Sequence, residues 1–182
     1  EAAAQPGGRM RVVDSVAGPV DAGPTVLTLR GVFDEVFAAA GTRVEDHLRL
    51  VPQPVLARHW WPDGATLDLH ADHDASAAAI NAAFGARAEA DFRGFHRLTA
   101  QAFAAFAAPV MQAPRIDLTR VAGAALRRPA LWPLLVPGMT MARHLALRFR
   151  EPRLRQLFGR YATYVGGVPQ TAPALLSLIW QA

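Results

Sequence analysis

Apolar residues fall at two different spacings along this chain, and the changes of spacing mark out its elements. Met10 to Val13 reads as a short strand after a Gly-Gly turn, and Asp14 to Pro24 as a turn-rich link. From Arg30 to Ala40 the apolar positions are Val32, Phe33, Val36 and Phe37, a helical stripe closed by Gly41. The period then shortens to two. His47–Val51, Val55–Trp60 and Ala65–His70 alternate as strands do, with Pro62-Asp63-Gly64 as a hairpin turn, which predicts a small antiparallel sheet. After Asp74 the helical period returns. Asp74-Ala75-Ser76 caps a helix to about Phe84, and a second runs from about Ala86 to Ala108 on Phe92, Phe95, Leu98, Phe103 and Phe106, ended by Pro109 and Pro114. Another begins at Asp117-Leu118-Thr119 and reaches about Arg127. Pro129, Pro133 and Pro137 then cut the chain into short pieces. Met139–Phe149 and Arg153–Tyr164 read as helices, Tyr164–Pro169 as a loop, and Ala172–Ala182 as a last helix. There is no internal repeat.

At 182 residues the chain is long enough for one domain with a sizeable core. It has no cysteine, which excludes disulfides, thiolate metal sites and a cysteine nucleophile. No Ser-His-Asp order with a nucleophile elbow occurs. It has no lysine either, so all 19 basic residues are arginine. The pI near 10.8 therefore follows from arginine's high pKa and is not a nucleic-acid signature. The distribution of charge says more. Residues 1–100 carry a net charge of −4, and residues 101–182, with only Asp117 and Glu151 as acids, carry +8. Arginines interleaved with Leu, Trp, Phe and Met point to an anionic membrane face as partner and not to nucleic acid. No uninterrupted apolar run approaches the ~18 residues of a spanning helix.

The first 25 residues carry candidate chemistry. Glu1 stands a few residues before Pro6-Gly7-Gly8-Arg9, and a second turn, Gly23-Pro24-Thr25, follows a short apolar segment. Paired glycines let backbone N–H groups approach a ligand, an arginine beside them can face phosphate, and an acid just past a strand can accept from ribose hydroxyls. This order of parts resembles the second half of a flavin-binding site. No Gly-x-Gly-x-x-Gly occurs anywhere in the chain, which reads as a piece of a larger flavoenzyme.

Five stretches extend the resemblance: Pro6–Arg9; Asp21–Thr25; Trp61-Pro62-Asp63-Gly64 with Leu67-Asp68-Leu69; Leu154-Arg155-Gln156-Leu157-Phe158; and Tyr164-Val165-Gly166-Gly167 with Ala172–Leu175. On these the chain resembles the bacterial phytoene-desaturase family of flavin-dependent carotenoid desaturases. Arg160–Gly167 is most similar to the branch acting on 1-hydroxy- or 1-methoxy-carotenoids. The resemblance implies an α/β fold class with an α+β substrate part. The chain would be a fragment of a two-domain, Rossmann-like FAD/NAD(P)-binding oxidoreductase, bringing a small antiparallel sheet and a helical cap. Residues 1–29 would be a remnant of the FAD-binding domain, and residues 30–182 a substrate-binding domain truncated at its C-terminus. It further implies FAD as cofactor, a carotenoid as substrate, and a peripheral position on the cytoplasmic side of a membrane. By position, Glu1 would accept from the adenosine ribose hydroxyls. Gly7, Gly8 and Arg9 would approach the flavin and pyrophosphate, and Gly23, Pro24 and Thr25 the isoalloxazine ring. The fragment by itself is expected to be inactive. No residue is assigned as catalytic base; His96, Gln101 and Thr163 are candidates for a polar partner to a substrate hydroxyl.

Several stretches have two readings. Tyr164–Gly167 is either a helix C-cap or a close backbone approach to flavin or polyene. Phe92, Phe95, Phe103 and Phe106 line either a core or an apolar tunnel. Leu131–Pro137, with Arg127 and Arg128, is either a buried connection or an interfacial patch with Trp132 at headgroup depth. His70, Asp72, His73 and Asp74 have a spacing that metal sites use, but at a helix start they read as caps and surface residues, and no metal is expected. A rival of another class is a non-catalytic, membrane-associated module that binds an apolar ligand. A rival among enzymes is another flavin amine-oxidase-like relative, such as a phytoene desaturase or a carotenoid isomerase.

Overall fold

In the computed structural model, residues 7–8, 10–23, 27–111, 113, 115 and 117–182 are described. Contacts divide the chain into two compact units, Glu1–Val51 and Pro52–Ala182. The division by function expected after residue 29 is a different one, because the helix that follows packs within the first unit.

In the first unit, β1 (Val12–Ser15) pairs with β2 (Gly18–Asp21) as an antiparallel hairpin, with Val12 opposite Asp21 and Ser15 opposite Gly18. The expected turn-rich link is thus partly a strand. Ser15 explains it: its Oγ accepts from the Ala17 N–H at 3.2 Å and donates to the Gly18 carbonyl at 2.7 Å, closing a tight turn. Helix α1 (Arg30–Ala39) ends as expected at Gly41: the Gly41 N–H donates to Ala38 O and the Thr42 N–H to Phe37 O, both at 3.0 Å, a Schellman arrangement. His47–Val51 is not a strand. A 3-10 turn at Val44–Asp46 precedes it, with the Arg43 N–H bonded to Asp46 Oδ2 at 3.2 Å. The His47 ring turns back onto Phe37 (5.4 Å) and Thr42 Oγ1 (3.0 Å). Alternation alone does not make a strand without a neighbour to share its backbone hydrogen bonds.

The second unit opens with the predicted hairpin, β3 (Val55–Trp60) and β4 (Thr66–His70), with Trp60 opposite Thr66 and His59 opposite Leu67. The period of two puts Leu67 and Leu69 into the core and leaves Arg58 and Asp68 outside, paired at 2.6 Å. Helix α2 (His73–Phe84) is capped by Asp72, which accepts from the Ala75 N–H at 2.7 Å, two residues before the expected cap. Ser76 serves another purpose. Fully buried, its hydroxyl accepts from the His70 N–H (2.8 Å) and donates to the His70 carbonyl (2.9 Å), fastening the end of β4 to α2.

Helix α3 (Ala86–Phe106) continues into a π turn at Ala107–Met111. Its stripe Phe92, Phe95, Leu98, Ala102 and Phe106 runs along both clusters of the core. Helix α4 (Leu118–Leu126) is capped by Asp117, and a 3-10 turn (Pro129–Leu131) leads into α5 (Trp132–Leu135). Helix α6 (Met141–Arg148) and helix α7 (Pro152–Gly159) are capped by Thr140 and Glu151. Two 3-10 stretches, Arg160–Val165 and Ala174–Gln181, finish the unit where helix was expected. Around Phe158 gather Phe95 (4.7 Å between ring centroids), Phe149 (5.2 Å), Trp180 (5.3 Å), Phe92 (5.9 Å) and Tyr161 (6.4 Å). Phe92, Phe95 and Phe106 are therefore core residues, and Phe103 is half-buried at its margin. No helix among the described residues is long and apolar enough to cross a membrane.

Two consequences are measurable. Phe158→Ala empties the centre of this cluster and should lower unfolding stability by about 3–5 kcal/mol, seen as an earlier denaturant midpoint. His144 is buried, its Nδ1 3.1 Å from Ser177 Oγ. Burial first, and the Arg148 charge second, lower its pKa to about 4. The folded chain therefore binds fewer protons at His144 than the unfolded chain, and the stability this confers is complete above pH ~6.5 and lost as pH falls towards 4. Urea titrations across that window should show a decline of roughly 2–3 kcal/mol that His144→Gln flattens.

Candidate functional site

Of the expected flavin-side residues, Gly7, Gly8 and Gly23 are described, and they lie at the open end of the β1–β2 hairpin. The Ala22 N–H donates to Arg11 O at 2.7 Å, one step beyond the ladder, which brings Gly23 to the same end as the Gly7–Met10 turn. That turn is closed by the Met10 N–H on Gly7 O at 2.9 Å. Gly7 has φ +127°, and a Cβ there would lie 3.3 Å from Met10 O, so the position requires glycine. Gly8 has φ +57° and nothing within 4 Å of where a Cβ would stand, so its backbone is open to a ligand. Of the other expected residues, Glu1, Arg9, Pro24 and Thr25 lie outside the described residues.

A cleft of about 410 Å³ in the second unit is lined by two of the motif stretches, with Arg155 and Gln156 from α7 and Gly159, Arg160, Thr163 and Gly167 after them. Its polar groups are largely committed. Gln156 Oε1 accepts the Trp61 indole N–H at 2.8 Å, Arg155 donates to Phe149 O at 2.7 Å, and Thr163 Oγ1 donates to Arg160 O at 2.7 Å. Of the two readings of Tyr164–Gly167, the cap is what the backbone forms. Gly166 has φ +70°, its N–H donates to Thr163 O, and the Gly167 N–H donates to Ala162 O, each at 3.0 Å. On β3, burial first and the Arg160 charge second lower the pKa of His59. Sequence periodicity gave no sign of the Trp61–Gln156 bond, which spans 95 residues.

A second hollow, of about 250 Å³, lies between the start of α2 and the middle of α3. It is lined by His73, Asp74, Phe92, Arg93, His96 and Arg97. The His73 and His96 rings are 3.8 Å apart, and Trp180 meets both edge-on at 5.8 and 6.3 Å. His96 Nδ1 is 3.0 Å from Gln181 Nε2, which also donates to Thr99 Oγ1 at 2.9 Å. Burial, then the His73 and Arg97 charges, hold the His96 pKa below its ordinary value against the smaller opposing effect of Asp74. Asp74 and Glu89 both bind Arg93, at 2.5 and 2.8 Å. Of the three candidate partners for a hydroxyl, His96 lies in this hollow, Thr163 in the cleft, and Gln101 on the exposed face of α3. No group of three or more His, Cys, Asp or Glu among the described residues could hold a metal ion.

Leu131–Pro137 is buried at some positions and exposed at others. Leu131 and Leu134 are core residues, whereas Trp132 and Val136 are exposed beside Leu126, Arg127 and Arg128. The Trp132 indole N–H is held by Ala125 O at 2.8 Å, which fixes the ring at the surface.

No family model matches the chain. Among curated proteins it is 59% identical over 182 residues to hydroxyneurosporene desaturase of Cereibacter sphaeroides, spanning all of this chain and 37% of that protein. It is 56% identical over 182 residues to the protein of the same name from Rhodobacter capsulatus, with the same coverage. Phytoene desaturase (lycopene-forming) of Pseudescherichia vulneris is 32% identical over 182 residues, spanning 96% of this chain and 35% of that protein. The chain thus spans a little over a third of the length of the curated relatives it matches.

Gly166→Ala should cost about 1 kcal/mol, because a Cβ is strained in the left-handed cap although the space beside it is open. A shifted urea midpoint with unchanged far-ultraviolet circular dichroism is the expected result.

Proposed function

We propose that this chain, homologous over its whole length to bacterial hydroxyneurosporene desaturases, is part of an FAD-dependent oxidoreductase of carotenoid biosynthesis. Its substrate is an acyclic carotenoid of the 1-hydroxy- or 1-methoxy-neurosporene type. The observation that carries this reading is 59% identity along all 182 residues, with the phytoene desaturases further away at 32%. The chemistry follows from the substrate class. Desaturation takes a hydride from one carbon and a proton from its neighbour. Unactivated C–H bonds are beyond an ordinary side-chain base, so a bound flavin supplies the two-electron acceptor. The open backbone at Gly8 and the glycine-only turn at Gly7 suit such a group, since both leave N–H groups uncovered by side chains.

In this reading residues 1–29 belong to a Rossmann-like FAD-binding domain and residues 30–182 to the substrate-binding part. Glu1 accepts from the ribose hydroxyls, Gly7, Gly8 and Arg9 lie along the pyrophosphate, and Gly23, Pro24 and Thr25 border the ring. The work of the second unit is to hold a long apolar molecule in place and keep water from the reacting carbons. Exposed Leu126 and Trp132, with Arg127 and Arg128 between them in sequence, support a peripheral attachment to a membrane, which this reading puts at its cytoplasmic face. Their apolar groups enter the interface while the guanidinium groups meet lipid phosphate. From such a surface an apolar substrate can be taken up without crossing water.

The test uses a full-length protein carrying this chain. Its visible spectrum after purification should show flavin bands, and incubation with hydroxyneurosporene in liposomes should shift the polyene bands to the red. Absence of flavin from the folded protein would sink the oxidoreductase reading. Gly8→Asn is the informative variant. Asparagine tolerates the left-handed backbone, so the fold survives, while its side chain fills the open space and should cut flavin content several-fold.

A further inference from the structure

The hollow beside His96 contains an imidazole whose tautomer is fixed by its neighbours. The Thr99 hydroxyl donates to Phe95 O at 2.9 Å, so its oxygen is free to accept. Gln181 Nε2 donates to that oxygen and reaches His96 Nδ1 at 3.0 Å with its second hydrogen. Nδ1 is therefore the acceptor, and the ring proton sits on Nε2. With Nδ1 turned to Gln181, the Nε2–H is the donor that His96 has left to offer the hollow.

The surroundings decide what such a donor would meet. Two guanidinium groups, Arg93 and Arg97, border the hollow with one carboxylate, Asp74, and Arg93 is held by Asp74 and by Glu89. Phe92, 1% exposed, forms an apolar wall, and the Trp180 ring lies 5.9 Å from Phe92. A neutral N–H donor against an aromatic wall suits a neutral oxygen attached to an apolar chain. The hollow, about 250 Å³, is smaller than the roughly 300–1,000 Å³ that encloses a whole drug-sized ligand. It has room for the end of a long polyene and not for its length.

We infer that this hollow binds the oxygen-bearing end of the substrate, with the His96 Nε2–H donating to a terminal hydroxyl or ether oxygen and with Gln181 and Thr99 holding the ring in that tautomer. His96 is then a specificity-determining residue, and Gln181 and Thr99 are positioning residues that act through it. The inference rests on the desaturase reading for the identity of the substrate.

The experiment uses the full-length flavin-loaded protein and two substrates, a carotenoid with a terminal hydroxyl and the same polyene with a hydrocarbon end. His96→Phe should lower the ratio of their kcat/KM values, hydroxylated over hydrocarbon-ended, about tenfold, the value of one neutral hydrogen bond. His96→Gln, which keeps an amide N–H near the Nε2 position, should restore most of the preference. Binding gives a readout independent of turnover: quenching of tryptophan fluorescence by the hydroxylated polyene should need about tenfold more ligand in His96→Phe. Equal losses for the two substrates, or an unchanged ratio, would overturn the inference while leaving desaturation in place. A wild-type protein that desaturates neither substrate, yet binds the hydroxylated one in a His96-dependent way, would keep the hollow and discard the desaturase reading.

Discussion

The packing of Phe158 is the constraint on which the second unit depends. Its ring, 2% exposed, touches Phe92 and Phe95 of α3, Phe149 after α6, and Trp180 near the end of the chain. The partners come from three separate parts of the sequence. Aromatic rings bring large apolar area and preferred tilted or stacked geometries, so one site of contact fixes both the spacing and the orientation of the elements that meet there. The 3-10 stretch Ala174–Gln181 follows from this. Trp180 has to reach the cluster, Gln181 to reach Thr99, and Leu178 to enter the second cluster of the core.

Polar tethers act at the rim of this core. Arg153, one turn before Phe158, binds Glu151 and Asp63 and lies over Phe84 at 5.2 Å, joining α7 to the β3–β4 turn and to the end of α2. The Trp61–Gln156 bond makes the same connection one turn along α7. These are partly exposed contacts and contribute modestly to stability. Their effect is positional: they fix α7, whose outer face forms part of the 410 Å³ cleft. Three of the cleft's polar groups are already engaged: Arg155 and Thr163 with backbone carbonyls and Gln156 with Trp61. The hollow at His96 is the opposite case, a small site whose polar group is held in one protonation pattern.

In the proposed reading, the protein handles an apolar molecule carrying a single polar mark. Reading one hydroxyl on a long polyene takes a donor that cannot rotate away and a surrounding without excess charge, because a charged site would favour anions and water. Gln181 and Thr99 supply the first condition, and the pairing of Arg93 with Asp74 and Glu89 offsets one of the two guanidinium groups at the hollow.

Local periodicity was enough for the β3–β4 hairpin, for α3 and for the Gly41 and Asp117 caps, because each depends on residues within a few positions of one another. The likeness to carotenoid desaturases was legible for the same reason: it lies in short, contiguous stretches. The first hairpin and the missing strand at His47–Val51 were not. They depend on whether a neighbouring strand exists, and alternation cannot report that. The short pieces between Pro129 and Pro137 were placed correctly, yet which of them face the core was left to packing, which buried Leu131 and Leu134 and left Trp132 outside. In the sequence His96 was one of three candidate partners for a substrate hydroxyl, with Gln101 and Thr163. Only the tertiary structure brought Gln181, 85 residues away, to its Nδ1 and so gave it a tautomer and a direction. Sequence determines which atoms can donate or accept; which of them remains free to do so depends on partners that only folding brings within hydrogen-bonding distance.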